Sequence, residues 1–129
     1  MTRKDISLKK YDISSAKYRE LKYFCLQYEE WKSIINSDAS AIKAVTLSDM
    51  PSAHNPSDMT SAIAIKRAEV RAKCELIEQT AIEADNEIYK YIIKNVTQGV
   101  LYEYMPVPCG RRQFYSARRK FFYLLSKKR

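Results

Sequence analysis

Apolar side chains in this chain recur at intervals of three and four residues, the spacing that lines one face of a helix. The first stripe is Leu21, Phe24, Cys25, Tyr28, Trp31 and Ile35, with Arg19, Glu20, Lys22, Glu29, Glu30 and Lys32 filling the other face. It predicts an amphipathic helix that starts near Ser14 or Ser15, either of which can accept a backbone N–H as a cap, and ends near Asn36. Residues 1–13 are polar and basic and read as a loose arm. Residues 37–55 carry Ser37, Asp38, Ser40, Ser48, Asp49, Pro51, Ser52, His54 and Asn55, a composition that favours turns and predicts a linker with room for one short helical turn.

Asn55-Pro56-Ser57-Asp58 is a strong helix start: a capping residue, a proline at the first helical position and an acid in the first turn. No Gly or Pro interrupts the sequence from there to Ala84, which predicts one long helix with a moderate stripe of Ile63, Val70, Leu76 and Ile77. Asp85-Asn86 marks a break. Ile88, Tyr91, Ile92 and Val96 form the next stripe, closed by Gly99, a residue suited to the left-handed end of a helix. A short helical segment over Val100–Tyr104, the turn Pro106-Val107-Pro108-Cys109-Gly110 and a basic helix from about Arg111 to Ser126 follow. The expected fold is an all-α helical bundle with a C-terminal helix-turn-helix. Residues 1–55 form an N-terminal helix and linker, and residues 56–129 a long helix plus the helix-turn-helix, in one compact domain overall.

Composition narrows the chemistry. With two Gly in 129 residues, most routes to tight hairpins are closed and a sheet-rich fold is not expected, and neither G-x-G-x-x-G nor a Walker-type phosphate loop can be written. No apolar run approaches the ~18 residues that a membrane helix needs, and the polar N-terminus has no signal-peptide core, so a cytoplasmic protein that does not enter a membrane is expected. Cys25, Cys74 and Cys109 are widely separated and odd in number, which reads as packed thiols rather than a disulfide framework. His54 is the single histidine and has no ligand-type neighbours in sequence, and no acid–base pair stands out. The expectation is a chain with no cofactor, no metal and no enzymatic site.

Charge changes the picture more. The net charge is +8, from 23 Lys and Arg against 15 Asp and Glu. Eight of those basic residues lie between Tyr104 and Arg129, a stretch without a single acid, so the rest of the chain is balanced. Excess charge gathered at one end is the footprint of a surface that meets a polyanion. At about 100° per residue, Phe114, Phe121 and Leu125 fall within about 40° of one another and form a buried face, flanked by Ala117 and Leu124. Arg112, Gln113, Ser116, Arg119, Lys120 and Tyr123 occupy the opposite arc, where Arg and Lys suit phosphate or guanine and Gln suits adenine. Arg118 and Tyr115 sit at the margins within reach of the flanking DNA backbone, and Arg111 and Lys127 complete the expected DNA-contacting set. Phe122 lies off the apolar face and should pack against another helix or a second subunit.

The stretch Val96–Tyr104, followed by Val107-Pro108-Cys109-Gly110-Arg111 and Phe114–Lys120, resembles the helix-turn-helix of sigma-factor region four. Its layout is similar to phage transcriptional regulators of the ArpU/RinA type, and Tyr18–Tyr28 and the Asn55-Pro56 start also look like small phage proteins of this group. The resemblance implies sequence-specific binding of double-stranded DNA in transcriptional control of phage genes, inside the bacterial host, with Arg111–Lys120 entering the major groove. A homodimer on two half-sites about one DNA turn apart would raise affinity. The alternative is a small phage protein that binds and inhibits or redirects a host protein or nucleoprotein, such as RNA polymerase or a CRISPR effector. It would do so through the aromatic helix bearing Tyr18, Tyr23, Phe24, Tyr28 and Trp31. A third reading is a packaging or architectural role on DNA.

Overall fold

A computed structural model of the chain describes residues 12–36 and 56–129. They form five α-helices, α1 (Ser15–Leu26), α2 (Tyr28–Asn36), α3 (Pro56–Ala84), α4 (Tyr89–Gln98) and α5 (Arg111–Lys128), with a single 3-10 turn at Tyr102–Tyr104. Among the described residues there is no strand, and the fold is all-α. The expected linker and most of the expected N-terminal arm lie outside the described residues, as does the cap assigned to Asn55.

Local sequence accounts for most helix ends. The Ser14 hydroxyl accepts from the Lys17 backbone N–H at 3.1 Å, capping α1. The apolar stripe runs on across Gln27, but the helix breaks there into α1 and α2, where the spacing predicts a single helix to Asn36. The Gln27 side-chain amide donates to the Tyr23 carbonyl at 3.3 Å, and the Gln27 backbone N–H turns to the Phe24 carbonyl at 3.2 Å. The carbonyl that would carry the α-helical ladder is thus taken by a side chain, and the turn tightens. α3 ends at Ala84, and one carboxylate oxygen of Asp85 accepts from the backbone N–H groups of Glu87 (2.9 Å) and Ile88 (3.2 Å), which starts the chain towards α4. Gly99 closes α4 in the left-handed region at φ 71°, donating to the Asn95 carbonyl at 2.9 Å.

The described residues gather into two compact units, 12–27 with 76–129, and 28–36 with 56–75. In the second unit Tyr28 and Trp31 on α2 and Val70 and Cys74 on α3 are buried, and the Lys73 ammonium lies 5.2 Å from the centroid of the Trp31 ring. The first unit is built on α1, α4 and α5, each packed on the other two. Its core joins Leu21, Phe24 and Cys25 of α1, Ile92 and Val96 of α4, and Phe114, Phe121, Phe122 and Leu125 of α5, all buried. Full burial of one such large side chain stabilises by about 1.5–3 kcal/mol, so α5 is held on its apolar face by the core rather than by local propensity. The Phe121 and Phe122 rings meet edge to face at 5.2 Å, and Phe122 meets Tyr18 of α1 the same way at 5.0 Å.

Candidate nucleic-acid interface

The path from α4 to α5 is pinned by side chains. Asn95, buried near the end of α4, donates its amide N–H to the Val100 carbonyl at 2.9 Å, just past the Gly99 turn. The Tyr102 hydroxyl in the 3-10 turn donates to the Cys109 carbonyl at 2.6 Å, and its ring packs 5.5 Å from Phe114. These contacts set where Gly110 begins α5, and the Gly110 carbonyl takes the first helical bond, from Phe114 N–H at 3.0 Å.

Along α5 the expected buried face holds: Phe114, Phe121 and Leu125 are fully buried and Ala117 nearly so. Phe122 packs against another helix, one of the two placements expected for it: it is 2% exposed, seated between Tyr18 of α1 and Phe121. One residue departs from the sequence reading. Arg118 does not reach outward for a flanking phosphate. Its Nε donates to the Asn95 side-chain oxygen at 2.6 Å and one terminal nitrogen donates to the Tyr18 hydroxyl at 3.2 Å. Its guanidinium also lies 4.9 Å from the Phe122 centroid. The reason is angular. On the helical wheel Arg118 stands only about 40° and Phe122 about 80° from Phe114, so both fall within the arc that α1 and α4 cover.

Carboxylates from other elements reach several of the remaining cations, so the acid-free C-terminal stretch is not free of acids in space. Glu103 pairs with Arg111, which also lies 5.2 Å over the Tyr115 ring. Glu83 pairs with Lys128, and Glu20 lies 3.5 Å from Arg129. These pairs cap the two ends of α5. Between them Arg112, Arg119 and Lys120 have no carboxylate partner among the described residues, and neither does Lys127, whose ammonium lies 5.1 Å over Tyr123. Arg112, Gln113, Ser116 and Lys127 are exposed, and Tyr115, Arg119, Lys120 and Tyr123 half-buried.

The outward face therefore runs Arg112, Ser116, Arg119, Tyr123 as a ridge at spacings of four, three and four, with Gln113, Lys120 and Lys127 beside it. Next to this ridge lies an open groove of about 630 Å³, lined by Ala84 and Asp85 at the end of α3 and by Gly110, Arg112, Gln113, Ser116, Ala117 and Lys120 of the α5 segment. The groove places Asp85 among the cations, a neighbour that the sequence reading did not include.

Two thiols of this unit lie above their ordinary value. Cys25 is fully buried, and burial pushes its thiol up to about 12, against the opposing pull of Arg118 and Arg129. Cys109, half-buried on the turn before α5, has its thiol pushed up by burial and by the Asp85 charge. Among the described residues no three His, Cys, Asp or Glu side chains gather as a metal would require, and no helix is long and apolar enough to cross a membrane; His54 lies outside them. No family model, no curated protein and no solved structure matches this chain.

Proposed function

We propose that this protein binds double-stranded DNA sequence-specifically, with α5 laid in the major groove, and that it acts as a transcriptional regulator of a phage or prophage. One observation carries the DNA-binding part: Arg112, Arg119 and Lys120 share an outward arc of α5 with Gln113 and Ser116, and among the described residues no carboxylate forms an ion pair with them. Like charges on one helix face repel one another unless an anion lies against them. The mixture also suits DNA better than a featureless polyanion, since the cations serve phosphates and guanine while Gln113 and Ser116 can address base edges. The regulatory role rests on the resemblance to phage regulators of the ArpU/RinA type.

The test is selection of bound duplexes from a random pool, followed by mobility shift over a salt series. An interface that neutralises four to six phosphates gives a slope of log K against log salt between about −4 and −5. Enrichment of one motif with that slope supports the reading. Failure to retard any duplex at low salt overturns it.

A further inference from the structure

The groove beside α5 mixes donors with one acceptor of full charge. Arg112, Lys120 and the Gln113 amide can donate, and Asp85 stands across from them at the end of α3. Asp85 is fixed in place, because its Oδ1 is held by the backbone N–H groups of Glu87 and Ile88, at 2.9 and 3.2 Å. Its Oδ2 makes no hydrogen bond or ion pair among the described residues. A phosphate held in this groove would meet the Asp85 carboxylate as well as the cations, and like charge would weaken it. A base edge in the major groove carries donors and acceptors side by side. Guanine offers O6 and N7 as acceptors, its partner cytosine offers the 4-amino group as a donor, and a carboxylate is the side chain that accepts from it.

We propose that this groove reads a C·G base pair, with Asp85 selecting cytosine by accepting a hydrogen bond from its 4-amino group while Arg112 or Lys120 addresses the guanine. The inference rests on the DNA-binding reading above and deepens it. Thymine presents an O4 acceptor at the same place, which the Asp85 carboxylate repels, so a C·G to T·A change at one position of the bound motif costs about tenfold in affinity.

The experiment compares the wild-type protein with Asp85→Asn on the selected motif and on its single-base variants. Asn can keep the Oδ1 bonds to Glu87 and Ile88 and so preserve the turn, while it removes the charge and offers thymine a donor. The expected result is that Asp85→Asn loses or inverts the cytosine preference at one position and leaves the other positions unchanged. A uniform gain in affinity for every sequence, with the preference profile intact, overturns the proposal, since Asp85 would then only repel phosphate. A second arm uses the wild type alone, with that cytosine replaced by 2-pyrimidinone, which lacks the 4-amino group. The expected loss is again about tenfold, and an unchanged affinity overturns the proposal even if the variant fails to fold. A wild-type protein that retards no duplex fails the underlying DNA-binding reading, and this shows before any variant is made.

Discussion

Replacing Arg118 by Met separates a structural arginine from a DNA-contacting one. Methionine keeps an unbranched stem of similar length and removes the guanidinium. The change deletes the 2.6 Å bond to the Asn95 side-chain oxygen and the 3.2 Å bond to the Tyr18 hydroxyl, together with the stacking on Phe122. Hydrogen bonds to a charged group contribute about 1.5–3 kcal/mol each, and a part-buried acceptor left without a donor costs about 1–3 kcal/mol. The cation–π contact adds about 0.5–1 kcal/mol. These contributions overlap, because the same guanidinium makes all of them, so the expected loss is about 3 kcal/mol rather than their sum. Urea denaturation followed by circular dichroism at 222 nm reads it directly, and thermal unfolding should show a Tm lower by about 10 °C. A double-mutant cycle with Tyr18→Phe assigns one part: loss of the hydroxyl should cost about 1 kcal/mol in the wild type and almost nothing beside Arg118→Met. A stability of Arg118→Met within about 0.5 kcal/mol of wild type, the usual range for a surface substitution, would mean that the guanidinium lies on the solvent side of α5.

Two further consequences concern the turn after α4 and the buried thiol. Gly99→Ala should destabilise by about 1–2 kcal/mol in urea, because φ is 71° there; a Cβ meets nothing within 4 Å, so the cost is backbone strain alone and Gly99→Asn should recover part of it. The Cys25 thiol is held up at about 12 against an ordinary 9.0, so between those values the unfolded chain has released a proton that the folded chain keeps. Stability from this group is therefore complete below about pH 9 and falls by about 1.4 kcal/mol per pH unit above it, so Cys25→Ala should show a shallower alkaline loss than wild type in urea titrations at pH 8, 9 and 10.

The sequence disclosed the parts of the fold that depend on near neighbours. The Ser14 cap, the Pro56 start, the Gly99 end and the apolar face of α5 each follow from residues within a turn or two of one another, and each is present. What could not be read depends on distant partners. Arg118 turns inward because Asn95, 23 residues earlier, and Tyr18, 100 residues earlier, wait there, and no local pattern announces either. The acids that cap the ends of α5 come from α1, α3 and the 3-10 turn, and Glu103 stands just outside the acid-free stretch counted in the sequence. The break at Gln27 carries no Gly or Pro. The interrupting group is a side-chain amide, which a search for helix breakers does not weigh. In the groove, Asp85 was legible only as a break between helices; its place beside Arg112 and Lys120 depends on where the fold brings the end of α3 relative to the start of α5.

DNA binding as proposed places the duplex against the unpaired cations on the outer arc of α5. The most direct measurement is fluorescence anisotropy of a labelled duplex, titrated across a salt series with wild type and with Arg112→Ala, Arg119→Ala and Lys120→Ala combined. These three side chains make no ion pair among the described residues, so the thermal midpoint should stay close to wild type. The affinity should fall at every salt concentration, and the slope of log K against log salt should become shallower by about 0.9 for each phosphate contact removed, close to 3 in all. An unchanged slope and affinity in a folded variant would show that these cations do not hold DNA.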